Sequence, residues 1–135
     1  NMLEELNALL QESAELPEQT FENVPDGKYE GIIDGAEFTE SKQSGNLMFK
    51  WTLKYTTEEF AGRYDWKYTV LNKPENMKRL TTDLTKFGID CTKSIEHIQD
   101  HLEDLLDVPV EIEVKTTKSK KDDTEYRNIS IKPLN

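Results

Sequence analysis

LMFKWTLKY at residues 47–55 and RYDWKYTVL at residues 63–71 are the two stretches that decide the fold class. In the first, apolar and aromatic residues occupy the odd positions, and in the second, aromatic residues and valine occupy the even positions. Side chains two residues apart point to the same face of a strand, so each stretch is predicted to be a strand with one buried face. The polar segment at 56–62 then makes the turn between them.

A strand and two helices are predicted on either side of this pair. KYEGIIDGAEF at residues 28–38 predicts a strand that bends or bulges at its glycines, with a polar turn at 39–46. After residue 71 the period becomes helical, with apolar residues at Met77, Leu80, Leu84 and Phe87. Asn72 and Glu75 are predicted to form a capping box, with Pro74 in the first turn and Gly88 at the C-terminal end. A second helix is predicted from Ser94, with apolar positions at Ile95, Ile98, Leu102, Leu105 and Leu106.

Two strands are predicted at the end of the chain and one short helix at its start. VPVEIEVKTTK at 108–118 and TEYRNISIKPL at 124–134 alternate again, around a charged turn. Residues 2–12 carry Leu3, Leu6, Leu9 and Leu10 on one helical face, and such a short helix is expected to pack on something. We divide the chain into an acidic N-terminal helix and linker at 2–26 and a folded domain at 27–135.

The order of these elements predicts the fold. A mostly β chain with the order β-β-β-α-β-β, preceded by an amphipathic helix, matches the five-stranded OB-fold barrel, in which the helical connection covers one end of the barrel. A five-stranded SH3-like barrel and an α+β sheet share this strand order and remain alternatives. The length of 135 residues fits a single domain.

Composition excludes several classes of protein. No apolar run approaches the roughly 18 residues of a membrane span, and no secretion signal is visible. Cys91 is the single cysteine, so the chain is expected to work in a reducing cytoplasm. The net charge of −10 argues against nucleic acid, but residues 1–26 hold seven acids and no base, and residues 94–107 hold five acids and no base. The remainder is slightly basic and could bind a polyanion locally.

An OB-fold binds ligand over its second and third strands, between the first–second and fourth–fifth loops. The bases in these regions, predicted to contact phosphates, are Lys42, Lys50, Lys54, Arg63, Lys67, Lys118, Lys120 and Lys121. Aromatic residues in or beside these strands are Trp51, Tyr55, Tyr64, Trp66, Tyr68 and Tyr126. Bases are predicted to stack on whichever of Trp51, Trp66, Tyr68 and Tyr126 face outward. By alternation, Phe49, Trp51, Tyr64, Trp66 and Tyr68 belong to the apolar set, which favours the core for each of them. Tyr126 lies off the apolar phase of its strand and is predicted to be exposed, while the lysines have an alternative role as solvated strand edges.

No catalytic motif is evident, and we predict that the protein is not an enzyme and needs no cofactor. His97 and His101 are four residues apart on the second helix and could approach one metal ion, but there is no third histidine, and the apolar positions of the helix leave both facing solvent. An exposed polar helix face is the favoured interpretation, and no metal site is predicted. Cys91 has no neighbouring histidine and is predicted to be a small buried residue.

Four stretches resemble a family of small phage-encoded single-stranded-DNA-binding proteins, each built on one OB-fold. They are VPDGKYEGII (24–33), ESKQSGNLMFKWTL (40–53), FAGRYDWKYTVLN (60–72) and DTEYRNISIKPLN (123–135). The likeness spans roughly residues 22–135 and rests mostly on turn glycines and strand aromatics. It implies a protein that coats single-stranded DNA during phage or prophage replication or recombination in the cytoplasm of a bacterial host.

Single-strand binders of the bacterial type often end in an acidic tail, whereas here the acidic segment is N-terminal. We therefore expect residues 2–26 to recruit replication or recombination proteins, to mediate homo-oligomer formation or to shield the groove, unless the helix only caps the barrel. Two other functions stay open: a protein-interaction module that acts through its acidic helices, and a hydrolase that uses His97 and His101.

Overall fold

The strands form one antiparallel sheet in the computed structural model, which describes residues 1–15 and 23–134. They are β1 (Gly27–Glu40), β2 (Leu47–Tyr55), β3 (Tyr64–Val70), β4 (Pro109–Lys118) and β5 (Glu125–Pro133). Their order across the sheet is β3-β2-β1-β4-β5, so β1 is central and β3 and β5 are the two edges. The mostly β class and the five predicted strands are confirmed.

Three helices accompany the sheet: α1 (Met2–Ala14), α2 (Pro74–Lys86) and α3 (Ile95–His101), with 3-10 turns at Glu58–Phe60 and Leu102–Leu105. Ser94 begins α3 as predicted, since its side chain accepts a hydrogen bond from the His97 backbone N–H at 3.1 Å. Gly88 follows α2 with φ +85°, the left-handed conformation that glycine adopts most readily. No helix in the described part of the chain is long and apolar enough to cross a membrane.

The start of α2 differs from the prediction. Lys73 is the N-cap and its side chain makes no capping hydrogen bond. The prediction of a capping box between Asn72 and Glu75 is therefore wrong, because Asn72 lies one residue before the N-cap. The Asn72 side-chain oxygen instead accepts a hydrogen bond from the side-chain amide of Asn76 at 3.0 Å. Pro74 occupies the first helical position as expected.

β1 pairs with different strands along the two parts of its length. Its first part, 27–32, pairs with β4, and its second part, 31–40, pairs with β2 around an irregularity between Ile33 and Gly35. Gly31 lies where both pairings overlap. A Cβ added there would come within 2.5 Å of Ile112 Cδ1 and 2.6 Å of the Lys54 carbonyl oxygen, so only glycine lets the strands approach this closely.

The core lies between the inner face of the sheet and the helical segment 74–105. β2 contributes Phe49, Trp51, Leu53 and Tyr55, all buried as the alternation predicts. Trp51 and Tyr55 are therefore not available to stack on bases, and Leu47, in the same phase, is exposed instead. The other strands and the helices complete one apolar cluster with Ile33, Leu80, Leu84, Ile98, Leu102, Leu105, Val110, Ile112, Val114, Ile129 and Ile131. Burial of these side chains is the main stabilising contribution to the fold.

The two edge strands are linked by side chains. Arg127 on β5 donates two hydrogen bonds to the Asp65 carboxylate on β3, at 3.0 and 2.6 Å. Lys67 Nζ on β3 donates to the Ile129 carbonyl oxygen on β5 at 3.0 Å. The strands that lie furthest apart in the hydrogen-bonded order are thus brought together in space.

The N-terminal segment divides differently from the prediction. Every residue of α1 is exposed, so the expected packing of this helix against other described residues is not seen. The predicted linker at 13–26 lies partly outside the described residues, at 16–22. Its last residues belong to the folded domain: Val24 is buried in the core, and the Asp26 carboxylate accepts hydrogen bonds from the Thr116 backbone N–H and hydroxyl at 2.9 and 2.7 Å.

Candidate nucleic-acid interface

Three aromatic side chains stand in a row on the outer face of β3. Tyr64, Trp66 and Tyr68 are 45%, 43% and 53% exposed. The rings of Tyr64 and Trp66 are nearly parallel, with 6.4 Å between their centroids and 24° between their planes. Side chains of such size are normally buried, so a row of three with free ring surface is a platform on which flat ligands can stack.

These exposed rings overturn the expectation that Tyr64, Trp66 and Tyr68 lie in the core. The inner positions of β3 are polar, namely Asp65, Lys67 and Thr69. Asp65 and Lys67 can point inward because β5 supplies their hydrogen-bond partners, as described above. The aromatic residues are then left on the outer face. Tyr64 was not among the predicted binding residues, although its spacing from Trp66 places it in the same row.

The neighbouring strand sets two lysines beside these rings. In the pairing of β2 with β3, Lys50 faces Tyr68, Thr52 faces Trp66 and Lys54 faces Tyr64. Lys54 Nζ is 5.7 Å from the centroid of the Tyr64 ring, within the range of a cation–π interaction. We call these six residues of β2 and β3 the aromatic–lysine face.

Two residues predicted to contact phosphates, Arg63 and Lys67, lie outside the aromatic–lysine face. Lys67 lies on the inner face of β3, where its ammonium group is occupied by the Ile129 carbonyl oxygen, so it is separated from the aromatic–lysine face. Arg63 precedes β3, is exposed, and has its guanidinium carbon 5.8 Å from the centroid of the Phe60 ring. The alternation along β3 does not reveal that Lys67 points inward, because its hydrogen-bond partner is 62 residues away in sequence.

The β4–β5 hairpin carries a second group of exposed bases. Beyond Val114 the hairpin has no pairing with β1, and residues 115–118 are all exposed. The predicted contacts in this hairpin, all exposed, are Lys118, Lys120, Lys121 and Tyr126. The prediction that Tyr126 is exposed is confirmed, at 52%. Asp122, Asp123 and Glu125 share the hairpin, so its charge is mixed.

The turn between β1 and β2 carries the remaining predicted base. Lys42 is exposed in this turn, which is closed by a hydrogen bond from the Ser41 N–H to the Asn46 carbonyl oxygen at 2.8 Å. β1 itself brings acids close to the aromatic–lysine face, since Glu37 is paired with Lys50 and Asp34 is exposed nearby in sequence. The predicted phosphate-binding bases other than Arg63 and Lys67 therefore lie on β2, in this turn and in the hairpin.

The other candidate chemistry finds no support in the described residues. The rings of His97 and His101 lie 4.3 Å apart, and His101 Nδ1 is 2.9 Å from the His97 carbonyl oxygen. Within residues 1–15 and 23–134, no group of three or more His, Cys, Asp or Glu side chains could hold a metal ion. Cys91 is half-buried, and burial raises the pKa of its thiol, which disfavours the reactive thiolate.

Comparison with known proteins gives a family but no activity. The model of a family described as "Protein of unknown function (DUF669)" matches residues 11–135. No curated protein matches the chain.

Proposed function

Since the chain belongs to the DUF669 family, whose function is unknown, we propose a function from the geometry of its surface: the protein binds single-stranded DNA with little sequence preference. The observation that carries the proposal is the aromatic–lysine face, where Tyr64, Trp66 and Tyr68 stand exposed in one row beside Lys50 and Lys54. Single-strand binders combine stacking surfaces for bases with cations for the backbone, and this face offers both.

The proposal includes an OB-fold barrel. In its favour, the sheet order β3-β2-β1-β4-β5 leaves β3 and β5 as the strands that must meet to close a barrel, and side chains of Asp65 and Lys67 already join them. The helical connection between β3 and β4 and the irregular pairing of the central strand β1 also fit this fold. An OB-fold uses its second and third strands for ligand, and the aromatic–lysine face lies on those strands.

The aromatic rings would bind the bases of the DNA, and the lysines would bind its phosphates. Residues two apart on a strand are about 6.6 Å apart, so successive rings of β3 can each take a base from an extended strand. Ring faces stack on all four bases, so binding through this row is expected to show little sequence preference. Lys50 and Lys54 would bind phosphates beside the rings, and the bases of the turn and the hairpin would extend that contact to Lys42, Lys118, Lys120 and Lys121.

The biological role proposed is protection of single-stranded DNA during phage or prophage replication or recombination, in the cytoplasm of a bacterial host. It follows from the family resemblance noted in the sequence and is independent of the geometry. A second candidate, a protein-interaction module acting through acidic helices, is favoured by one observation: the apolar side chains of α1 are exposed.

The test is a titration of the full chain with oligo(dT), followed both by tryptophan fluorescence and by anisotropy of labelled DNA. Trp51 is fully buried and Trp66 is 43% exposed, so quenching on binding is expected to report Trp66. Trp66→Ala is expected to weaken binding by about 1–3 kcal/mol, the value for one base stacked on an aromatic side chain. Lys93→Ala, which removes an exposed lysine outside the face, is the control and is expected to bind as wild type.

Absence of binding at low salt, or equal affinity of Trp66→Ala and wild type, would show that this face does not bind single strands. Two further ligands define the substrate. Duplex DNA is expected to compete poorly, because its bases are stacked internally. Tighter binding of oligo(U) than of oligo(dT) would reassign the protein to RNA.

A further inference from the structure

Helix α1 presents an apolar face that no other described residue covers. Its apolar side chains lie on one side of the helix, and each of them is more than half exposed: Met2, Leu3, Leu6, Leu9 and Leu10. The N-terminal end of α1 is well capped: Asn1 and Glu4 form a capping box. A 13-residue helix is nevertheless marginal in water without a partner for its apolar face.

The same chain carries an open apolar groove of about 390 Å³ at the end of the sheet where β1 leads into β2. It lies where β1 ends, where β2 begins, and between α2 and α3. Its apolar lining consists of Phe38, Leu47, Met48, Leu71, Met77 and Ile95. Leu47 and Ile95 are 57% and 41% exposed, so the groove leaves large apolar side chains in contact with water.

We propose that this apolar groove binds helix α1 of a second copy of the chain. The sizes agree, because a cavity of about 150 Å³ holds one benzene-sized apolar group, so a groove of about 390 Å³ has room for two or three leucine side chains of one helix. Methionines such as Met48 and Met77 adapt their shape to a partner, which suits a groove that receives a helix.

Charge favours this occupant over pairing of α1 with another α1. The helix carries Glu4, Glu5 and Glu12 and no base, so two such helices side by side would repel each other. The segments around the groove carry exposed charges of both signs, namely the lysines Lys42, Lys78 and Lys93 and the acids Glu75, Glu96 and Asp100. These segments therefore repel the acidic helix less than a second α1 would. Glu40 is the one acid among the residues that line the groove.

The contact is heterologous, since it joins two different surfaces of the chain. A heterologous contact repeats from copy to copy and builds an open chain of molecules unless the geometry closes a ring. Met48, at the edge of the groove, pairs with Val70 directly beyond the Lys50–Tyr68 pair. Successive copies would therefore join at one end of the aromatic–lysine face. The association itself does not depend on DNA, so its test is separate from that of the proposed function.

The experiment is sedimentation velocity of the full chain without DNA, from about 5 to about 200 µM, since one helix in a groove is a small interface that associates weakly. Wild type is expected to associate as concentration rises. Leu6→Gln with Leu10→Gln changes the helix, and Leu47→Thr with Ile95→Gln changes the groove; each pair is expected to weaken association at least about tenfold. Leu106→Gln, at an exposed leucine outside both surfaces, is the control and is expected to associate as wild type.

Mixing the two double variants identifies the contact. Each retains the surface that the other has lost, so an equimolar mixture is expected to form dimers and to stop there, whereas either variant alone associates at least about tenfold more weakly than wild type. A groove variant that associates like wild type would mean that α1 pairs with itself or binds elsewhere, and would overturn the proposal. A mixture that stays monomeric, or a wild type that is monomeric at every concentration, would overturn it as well. Because all four substituted residues are exposed, the variants are expected to keep the wild-type urea midpoint, and Ile95→Gln alone serves as a milder groove variant.

Discussion

Asp65 on β3 and Arg127 on β5 form a two-pronged ion pair between the two edge strands of the sheet, with N–O distances of 3.0 and 2.6 Å. Arg127 also donates to the Val24 carbonyl oxygen at 3.1 Å, and the Tyr55 hydroxyl donates to Asp65 at 2.9 Å. One guanidinium group thereby ties together β3, β5 and the segment that leads into β1. Planar, two-pronged recognition of a carboxylate requires arginine, and lysine cannot replace it.

Arg127→Gln is expected to destabilise the protein by about 2 kcal/mol. Both side chains are mostly buried, at 22% and 14% exposure, and removing one partner leaves the Asp65 charge poorly compensated. The measurement is the midpoint of urea unfolding, which reports stability as long as the dependence of the unfolding free energy on urea concentration is the same in variant and wild type. Lys132→Gln is the control, because it breaks a more exposed pair with Glu111 and is expected to cost less than about 1 kcal/mol. Equal losses in the two variants would mean that the edge-strand pair contributes no more than a surface pair.

Stability is expected to fall in acid partly through Asp65. Burial alone would raise the pKa of this carboxyl group, but the hydrogen bonds from Arg127 and Tyr55 and the charge of Arg127 outweigh burial, so its pKa is lowered in the folded protein. A group with a lowered folded pKa stabilises fully above its unfolded value of about 3.9, and this stabilisation is lost as pH falls through the folded pKa.

Asp65→Asn is therefore expected to be less stable than wild type at neutral pH and to lose less further stability below about pH 4. Urea titrations from neutral to acid pH measure this difference. Some acid loss is expected to remain in the variant, because hydrogen bonds from the Thr116 backbone and hydroxyl lower the pKa of Asp26 as well. Parallel stability curves for the two proteins across the acid range would contradict the role given to Asp65.

Gly31→Ala is expected to destabilise the fold by about 1–3 kcal/mol, because the new Cβ would overlap Ile112 and the Lys54 carbonyl oxygen where three strands meet. Gly35→Ala is the matched control. It lies in the same strand, and a Cβ there would meet only Thr52, at an ordinary contact distance of 3.5 Å. The difference between the two urea midpoints is the measurement, and similar midpoints would mean that the strands separate easily at Gly31.

The sequence predicted β2 correctly and β3 incorrectly, for a physical reason. Along β2 the inward side chains are all apolar, so alternation alone identifies the buried face. Along β3 both sets are ambiguous, since Tyr and Trp fit either a core or a binding surface, while Asp65 and Lys67 look exposed. Their partners lie on β5, 62 residues away, and no local pattern reveals such a pairing.

Other features of the molecule also divide into those set by local sequence and those set by contacts between distant residues. The order of the elements along the chain and the irregularity of β1 near Gly35 could be predicted because glycines, turns and alternation are local features. The exposed state of α1 could not, since a leucine face shows only that a helix needs a partner. The groove that we propose as that partner is assembled from β1, β2, α2 and α3, and from the segment that follows β3.

Two neighbouring lysines offer the sharpest test of the aromatic–lysine face. Lys50 lies on the outer face of β2 opposite Tyr68, whereas Lys67 lies on the inner face of β3 with its ammonium group bonded to the Ile129 carbonyl oxygen. Lys50→Gln is expected to weaken oligo(dT) binding and to reduce the slope of log affinity against log salt by about 0.7, the value for one phosphate contact on a single strand.

Lys67→Gln is expected to leave that slope unchanged and instead to lower stability by about 1 kcal/mol, because a hydrogen bond from a charged donor is lost. Lys93→Gln, at an exposed lysine outside the face, is expected to change neither quantity. Anisotropy titrations at four or more salt concentrations measure the slope, and urea unfolding measures stability. If Lys67→Gln reduced the salt slope and Lys50→Gln did not, DNA would lie on the opposite side of the sheet, and the aromatic row on β3 would need another ligand.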